Sequence, residues 1–196
     1  MLGAFQGEGK VVSIVGAGSP DNMGQVMARH FAAAGAKVVV SGRREDVLAD
    51  LAQEIGGDWV HCDLCDRDSI TNMVSTTAAR HGRIDVAINA TGWGLLVPFC
   101  ETSAEDLDRM VDLQFKGPYV WMQRLVEVMS QQQSGCIIQI SSATAKIMLD
   151  NHAAYMGAKA GIDHLVRTVA NEFGHVGIRA NTISPGLTAT PMTADA

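Results

Sequence analysis

No apolar run in the chain approaches the roughly 18 to 20 residues needed to cross a bilayer. The opening MLGAFQGEGK has neither a basic leader nor an apolar signal core. These absences argue against a membrane span and a secretory signal, and the chain is read as cytoplasmic. Clustered basic residues are also missing: Arg43 and Arg44 are the only close basic pair, and the formal net charge is -6. No nucleic-acid partner is expected, because phosphate-backbone binding depends on grouped Lys and Arg that release counterions. Cysteine is sparse, with 4 residues. Only Cys62 and Cys65 stand as C-x-x-C, without a second pair to complete a tetrahedral site, so no metal is expected. The pair falls in an Asp-rich turn where nothing would depress a thiol, which points to structural thiols in a reduced compartment. Repeats, linkers and low-complexity stretches are absent too.

What remains is a chain of 196 residues with 47% hydrophobic and 18% charged residues. That length suits one domain, 1–196, able to bury roughly 70% of its unfolded surface, and the composition excludes disorder as the overall state. Short β-branched runs alternate with longer amphipathic stretches throughout. Strands are expected over Val11 to Val15, Lys37 to Val40, Asp58 to His61, Ile84 to Asn89, Cys136 to Ile140 and Ile178 to Ile183. Helices are expected near Met23 to Ala34, Arg44 to Ile55, Arg67 to His81, Ala104 to Gln132 with a break around Gly117-Pro118, and His152 to Phe173. Most strands read as continuous apolar runs, as in a sheet buried on both faces. The fold class is α/β, a doubly wound parallel sheet in three αβα layers, with its ligand crevice beyond the carboxyl ends of the strands.

The loops after the strands therefore carry the interest. After the first strand, Gly16-Ala17-Gly18-Ser19-Pro20-Asp21-Asn22-Met23-Gly24 opens into a helix. Such a loop lets backbone N–H groups and a helix N-terminus approach a pyrophosphate with no Cβ in the way, although a flexible turn would look the same. At the end of the second strand, where an NAD site places a carboxylate for the ribose, the sequence is Ser41-Gly42-Arg43-Arg44. Guanidinium groups there suit a 2′-phosphate, favouring NADP(H) over NAD(H). The bland alternative is that Arg43 and Arg44 start a helix and pair with Glu45 or Asp46.

Tyr155 and Lys159 stand four apart on one helix face. A phenol of pKa near 10 must fall by about 3 units, about 4 kcal/mol, to exchange protons near neutrality. One positive charge at about 4 Å in an effective dielectric near 20 supplies roughly that. A bare Tyr-x-x-x-Lys is common on solvated faces, but here the preceding strand delivers Ser141-Ser142, where a hydroxyl can bond an oxygen gaining negative charge.

Together these motifs resemble the short-chain dehydrogenase/reductase family, with its NAD(P)-binding Rossmann fold, over about Lys10 to Met192. The likeness is carried by Tyr155 and Lys159, by Ser142, by Asn89-Ala90-Thr91-Gly92 for the family's Asn-Asn-Ala-Gly, and by Pro185-Gly186 with Thr190. Asp63-Leu64 resembles the family's adenine contact. The resemblance implies hydride transfer between the nicotinamide and a carbonyl or alcohol carbon. Tyr155 would be the proton donor or acceptor, and Ser142 would orient the substrate oxygen. Lys159 would lower the Tyr155 pKa and hold the nicotinamide ribose, while Thr188 and Thr190 would hold the carboxamide. It also implies a homotetramer or homodimer through the helices represented by Gln114 to Gln132 and His152 to Phe173. The partner is then a small-molecule carbonyl or alcohol.

Three departures stand out. In the glycine loop, Val15 replaces a threonine, the loop is longer, and Asn22 stands at the second glycine; Asn tolerates positive φ, and either Asp21 or Asn22 can cap the helix. Asp21 is an anion near a pyrophosphate, so its side chain is expected to point away. Gln114 takes the place of the family's relay asparagine, one methylene longer, and a retained proton relay is expected. The register also ends before the family's substrate lid and last strand, so the C-terminal part of the usual domain is missing. Trp93 and Met148 are candidates for the substrate pocket, with core packing as the alternative. The competing functional reading is a catalytically weak, nucleotide-sensing protein that kept the domain and lost turnover.

Overall fold

The fold is seen in a computed structural model, which describes residues 6–190. Met192, the far end of the expected likeness, lies outside the described residues. The β-branched runs form β1 (Val11–Val15), β2 (Lys37–Gly42), β3 (Asp58–His61), β4 (Val86–Asn89), β5 (Gly135–Ile140) and β6 (Ile178–Ile183). The helices between them are α1 (Met23–Ala33), α2 (Glu45–Ile55), α3 (Arg67–His81), α4 (Ala104–Val111), α5 (Gly117–Gln132) and α6 (Ala153–Phe173). All strand pairs are parallel, in the order β3-β2-β1-β4-β5-β6. The order reverses between β1 and β4, which leaves a crevice at their carboxyl ends.

Two apolar layers cover the sheet. On one face Leu48 and Leu51 of α2 and Ala28 of α1 pack on Val12, Ile14, Val38 and Val40. On the other, Met73 of α3, Trp121 and Leu125 of α5 and Ile162 of α6 pack on Val15, Val39, Ala87 and Ile137. Every residue of β1 and β4 is buried, which explains why these strands read as unbroken apolar runs.

Several boundaries shift by one or two residues from expectation, β2 for example running on to Gly42, and two shifts have an evident cause. Ile84 is buried, but the ladder of β4 starts at Val86, because Ile84 N–H is taken by the side chain of Gln132 at 2.8 Å. The break in the long helix falls before Gly117, where Asp112–Lys116 winds as a π-helical turn. Pro118 does not cause a break, since the backbone stays helical through Lys116 and Gly117 before it. A π turn inside a helix is uncommon and recurs at functional sites, and this one carries Gln114.

Candidate active site

The crevice is a cavity of about 450 Å³. The loop after β1, the end of β2, the turn after β3, the loop after β4, the end of β5 and the face of α6 all contribute to it. The first loop is shaped by two close approaches. Gly16 has φ +99, and a Cβ there would come within 2.6 Å of Ala90 backbone atoms at the end of β4. A Cβ on Gly24 would meet the Gly16 carbonyl oxygen at 2.5 Å, so α1 starts directly against the loop. The longer loop is then held by two amide side chains. Asn22 Nδ2 donates to the Gly16 carbonyl at 2.8 Å, and its Oδ1 accepts from Gln25 N–H at 3.0 Å as the N-cap of α1. Gln25 Nε2 donates to the Ala17 carbonyl at 3.2 Å. Asp21, not Asn22, takes the positive φ of 55, and its side chain is 89% exposed, pointing away as expected.

Gly16, Gly18, Ser19, Asn22 and Met23 line this end of the cavity, with Arg43 and Arg44 beside them; Gly24 lies behind, as packing. Arg44 is the N-cap of α2 without a side-chain cap bond, and its guanidinium lies 3.6 Å from Asp46, both ends exposed. An exposed pair of this kind is worth under about 1 kcal/mol and leaves the arginine available to a phosphate. Asp63 and Leu64 line the adjoining wall together with Leu113. Cys62, beside them, is buried and its thiol is pushed up to about 12 by burial, with Asp63 and Asp66 adding to the effect. Among the described residues no cluster of potential metal ligands occurs.

The loop after β4 is fixed at both ends. Asn89 is fully buried; its Nδ2 donates to Gln139 Oε1 at 3.0 Å, and its Oδ1 accepts from Thr91 N–H and Oγ1 at 3.0 and 2.6 Å. Ala90, Thr91, Gly92 and Trp93 line the cavity. Trp93 is clamped further: Arg109 of α4 lies 4.1 Å over its ring, and its carbonyl accepts from Gln114 Nε2 at 3.3 Å. Gln114 is buried, so the π turn aims it at the loop.

At the catalytic end, Tyr155 and Lys159 line the cavity from α6, as Ile140 and Ser141 do from β5. Ser142 Oγ accepts from Thr144 N–H and Oγ1 at 3.2 and 2.9 Å, and its hydroxyl acts on the Tyr155 phenol against the effect of burial. Lys159 is almost wholly buried; its Nζ donates to the Ile140 carbonyl at 3.1 Å and lies 5.5 Å from the Tyr155 ring centroid. Burial pushes the Lys159 ammonium down to about 8, with Asp163 opposing. The expected lowering of Tyr155 is not found in the protein itself. Burial pushes the phenol above its usual range, the Ser142 hydroxyl opposes this, and Lys159 does not counter it across that distance. The His152 ring stands 4.8 Å from that of Tyr155.

Thr190 lines the cavity. Pro185 anchors the same segment, its carbonyl accepting from Ala143 N–H at 2.8 Å, whereas Thr188 bonds the Gly186 carbonyl at 3.1 Å in an exposed turn. Met148 is 85% exposed and does not line the cavity. Gly42, Cys62, Thr91, Leu113, Ile140 and Ser141 join the wall without having been given a site role from sequence. Ser141 had a signal, being the first hydroxyl after β5; Leu113 had none, because its wall position depends on the π turn.

The dinucleotide fits these residues: a loop in which Gly16 and Gly24 leave no room for a Cβ, two neighbouring arginines, and a buried ammonium bonded among the described residues to one carbonyl. Strand order and loop define the class, a doubly wound dinucleotide-binding domain. A family model described as enoyl-(acyl carrier protein) reductase matches residues 16–196. Tropinone reductase-like 2 of Erythroxylum coca is 36% identical over 184 residues, 91% of this chain and 66% of that protein. The structure of a short-chain type dehydrogenase/reductase from Mycobacterium ulcerans superposes with a TM-score of 0.92 at 28% identity, over 97% of this chain and 72% of that one. A gluconate 5-dehydrogenase from Burkholderia cenocepacia, solved with NADP and tartrate, gives a TM-score of 0.90 at 25% identity, over 94% and 74%. The chain belongs to the short-chain dehydrogenase/reductase family of oxidoreductases. It spans about two thirds of the length of the first of these relatives.

Proposed function

We propose that the protein transfers a hydride between NADP(H) and a small to medium carbonyl or secondary alcohol, by a Ser-Tyr-Lys mechanism. The observation that carries this reading is that one cavity is bounded by Arg43 and Arg44 at one end and by Tyr155 and Lys159 at the other. Gly16, Gly18, Ser19, Asn22 and Met23 would seat the pyrophosphate against α1, Asp63 and Leu64 the adenine, and Arg43 and Arg44 the 2′-phosphate. Asn89, Ala90 and Gly92 would form the floor beneath the nicotinamide half, and Thr190 would hold its carboxamide with Pro185, Gly186 and Thr188 shaping that segment. Bound NADP(H) would supply or accept the hydride.

The chain's own residues supply the proton and the substrate's orientation. In reduction Tyr155 Oη gives its proton to the substrate oxygen, and Ser142 donates a hydrogen bond to that oxygen as charge grows on it. Lys159 would hold the nicotinamide ribose and carry a positive charge on the helix face it shares with Tyr155. Gln114 positions Trp93 at the substrate side and keeps an amide oxygen for a proton relay. Trp93 is the supported substrate-side wall, and the exposure of Met148 counts against it in that role. A groove between α5 and α6, lined by Tyr119, Met122, Val126, Leu165 and Phe173, supports assembly of two or four copies through these helices.

The test is NADP(H) binding, followed by absorbance-monitored cofactor turnover against a panel of ketones and secondary alcohols. Turnover with a preference for NADP(H) supports the reading. Tight binding without turnover would favour the nucleotide-sensing alternative.

A further inference from the structure

Asp163 is buried on α6, one helical turn beyond Lys159 and on the same face, and the mechanism above does not use it. Its Oδ1 has no hydrogen-bond partner among the described residues. A buried carboxylate oxygen left unbonded is costly and calls for a compensating interaction. The other buried charge on this helix is Lys159, itself bonded only to the Ile140 carbonyl at 3.1 Å.

Among the described residues, neighbouring elements offer neither group another partner. Lys116 pairs with Asp112 at 2.8 Å in the π turn, and Arg124 with Glu127 at 2.9 Å on α5. Arg109 lies on Trp93, and the other ionisable groups of α4, Glu105, Asp106 and Asp108, are not buried. His175 after α6 and Arg179 on β6 are exposed, as are His164 and Arg167 on α6 itself; Arg167 Nε bonds the backbone carbonyl of Asp163.

We propose that Asp163 is a positioning residue: its buried carboxylate is the counter-charge of the Lys159 ammonium and keeps that ammonium available to Tyr155 and the cofactor ribose. The proposal rests on the reading of Lys159 given above. The effect is through space, along one turn of a helix screened from water, so it needs no direct ion pair. It explains why both charges are buried together. It also explains how Lys159 stays largely protonated at neutral pH when burial alone pushes it down, with Asp163 the one charged group acting against that push.

The test is the pH dependence of NADPH affinity in the full chain, read by fluorescence titration. Affinity should fall once pH passes the point where Lys159 loses its proton, near 8 in the native chain. In Asp163→Asn that break should move down by about one pH unit, and in Asp163→Glu it should return close to the native position. A break unmoved in Asp163→Asn would overturn the proposal. A second measurement needs no cofactor. Asp163→Asn should lower the melting temperature of the native chain by about 3 °C, yet raise that of Lys159→Met by a similar amount, because the lone carboxylate is then the uncompensated charge. Equal shifts of the same sign in both backgrounds would also overturn it. If NADPH does not bind at all, the cofactor reading fails and the melting comparison still decides the pairing.

Discussion

The side chain of Asn22 joins the two ends of the first loop, donating to the Gly16 carbonyl at 2.8 Å while accepting from Gln25 N–H at 3.0 Å. A residue with a Cβ thus holds this position at φ -78 while the positive φ of 55 falls on Asp21.

Asn22→Ala removes both bonds. It is expected to cost about 1 to 2 kcal/mol in stability and to weaken NADPH binding severalfold. Urea denaturation and fluorescence titration check this. Stability unchanged within error would mean that the amide bridge contributes nothing.

Arg43→Ala/Arg44→Ala should weaken NADPH binding by about a hundredfold, roughly tenfold for each guanidinium removed from the 2′-phosphate. NADH binding should change by less than about threefold, since the exposed Arg44–Asp46 pair contributes little. Equal losses for both cofactors would place the 2′-phosphate elsewhere.

The strands were largely legible because runs such as Val11 to Val15 and Val38 to Val40 are buried on both faces and leave an unbroken apolar signature. The two arginines after β2 and the Tyr155–Lys159 spacing were legible for a different reason: loops after parallel strands converge on one crevice, which Ser141 lines where Ser142 was expected. The π turn was not legible, since one extra residue in a helical turn leaves the apolar periodicity almost intact, and the glycine and proline just beyond it suggested the wrong cause. The direction of the Tyr155 shift was also hidden. Spacing along a helix sets which side chains share a face, whereas the acidity of the phenol depends on burial and on a 5.5 Å separation that only packing determines. The apolar letter of Met148 likewise says nothing about the 85% exposure that its loop gives it.

Gln114→Ala breaks the bond to the Trp93 carbonyl. We expect kcat/KM to fall about tenfold and the pH-rate profile to shift, because both loop and relay are disturbed. An unchanged profile and turnover would make Gln114 merely structural.

Lys159 gives a signed pH prediction. Its folded pKa, about 8, lies below the unfolded value of 10.5, so unfolding takes up a proton between these limits. The cost of burying the charge is present at neutral pH and is relieved as pH rises through 8. The native chain should therefore gain about 1 to 2 kcal/mol on Lys159→Met between pH 8 and roughly pH 10. Cys62 and Tyr155 are common to both proteins and cancel in that difference. A difference independent of pH would contradict the burial argument.

The most direct test of the catalytic assignment is NADPH-dependent ketone reduction by Tyr155→Phe beside the native chain. The variant keeps the ring beside His152 and Lys159 and loses the hydroxyl that carries the proton. The account predicts NADPH binding within about threefold of native and turnover reduced by at least about a hundredfold. Turnover within tenfold of native, at equal cofactor saturation, would contradict it.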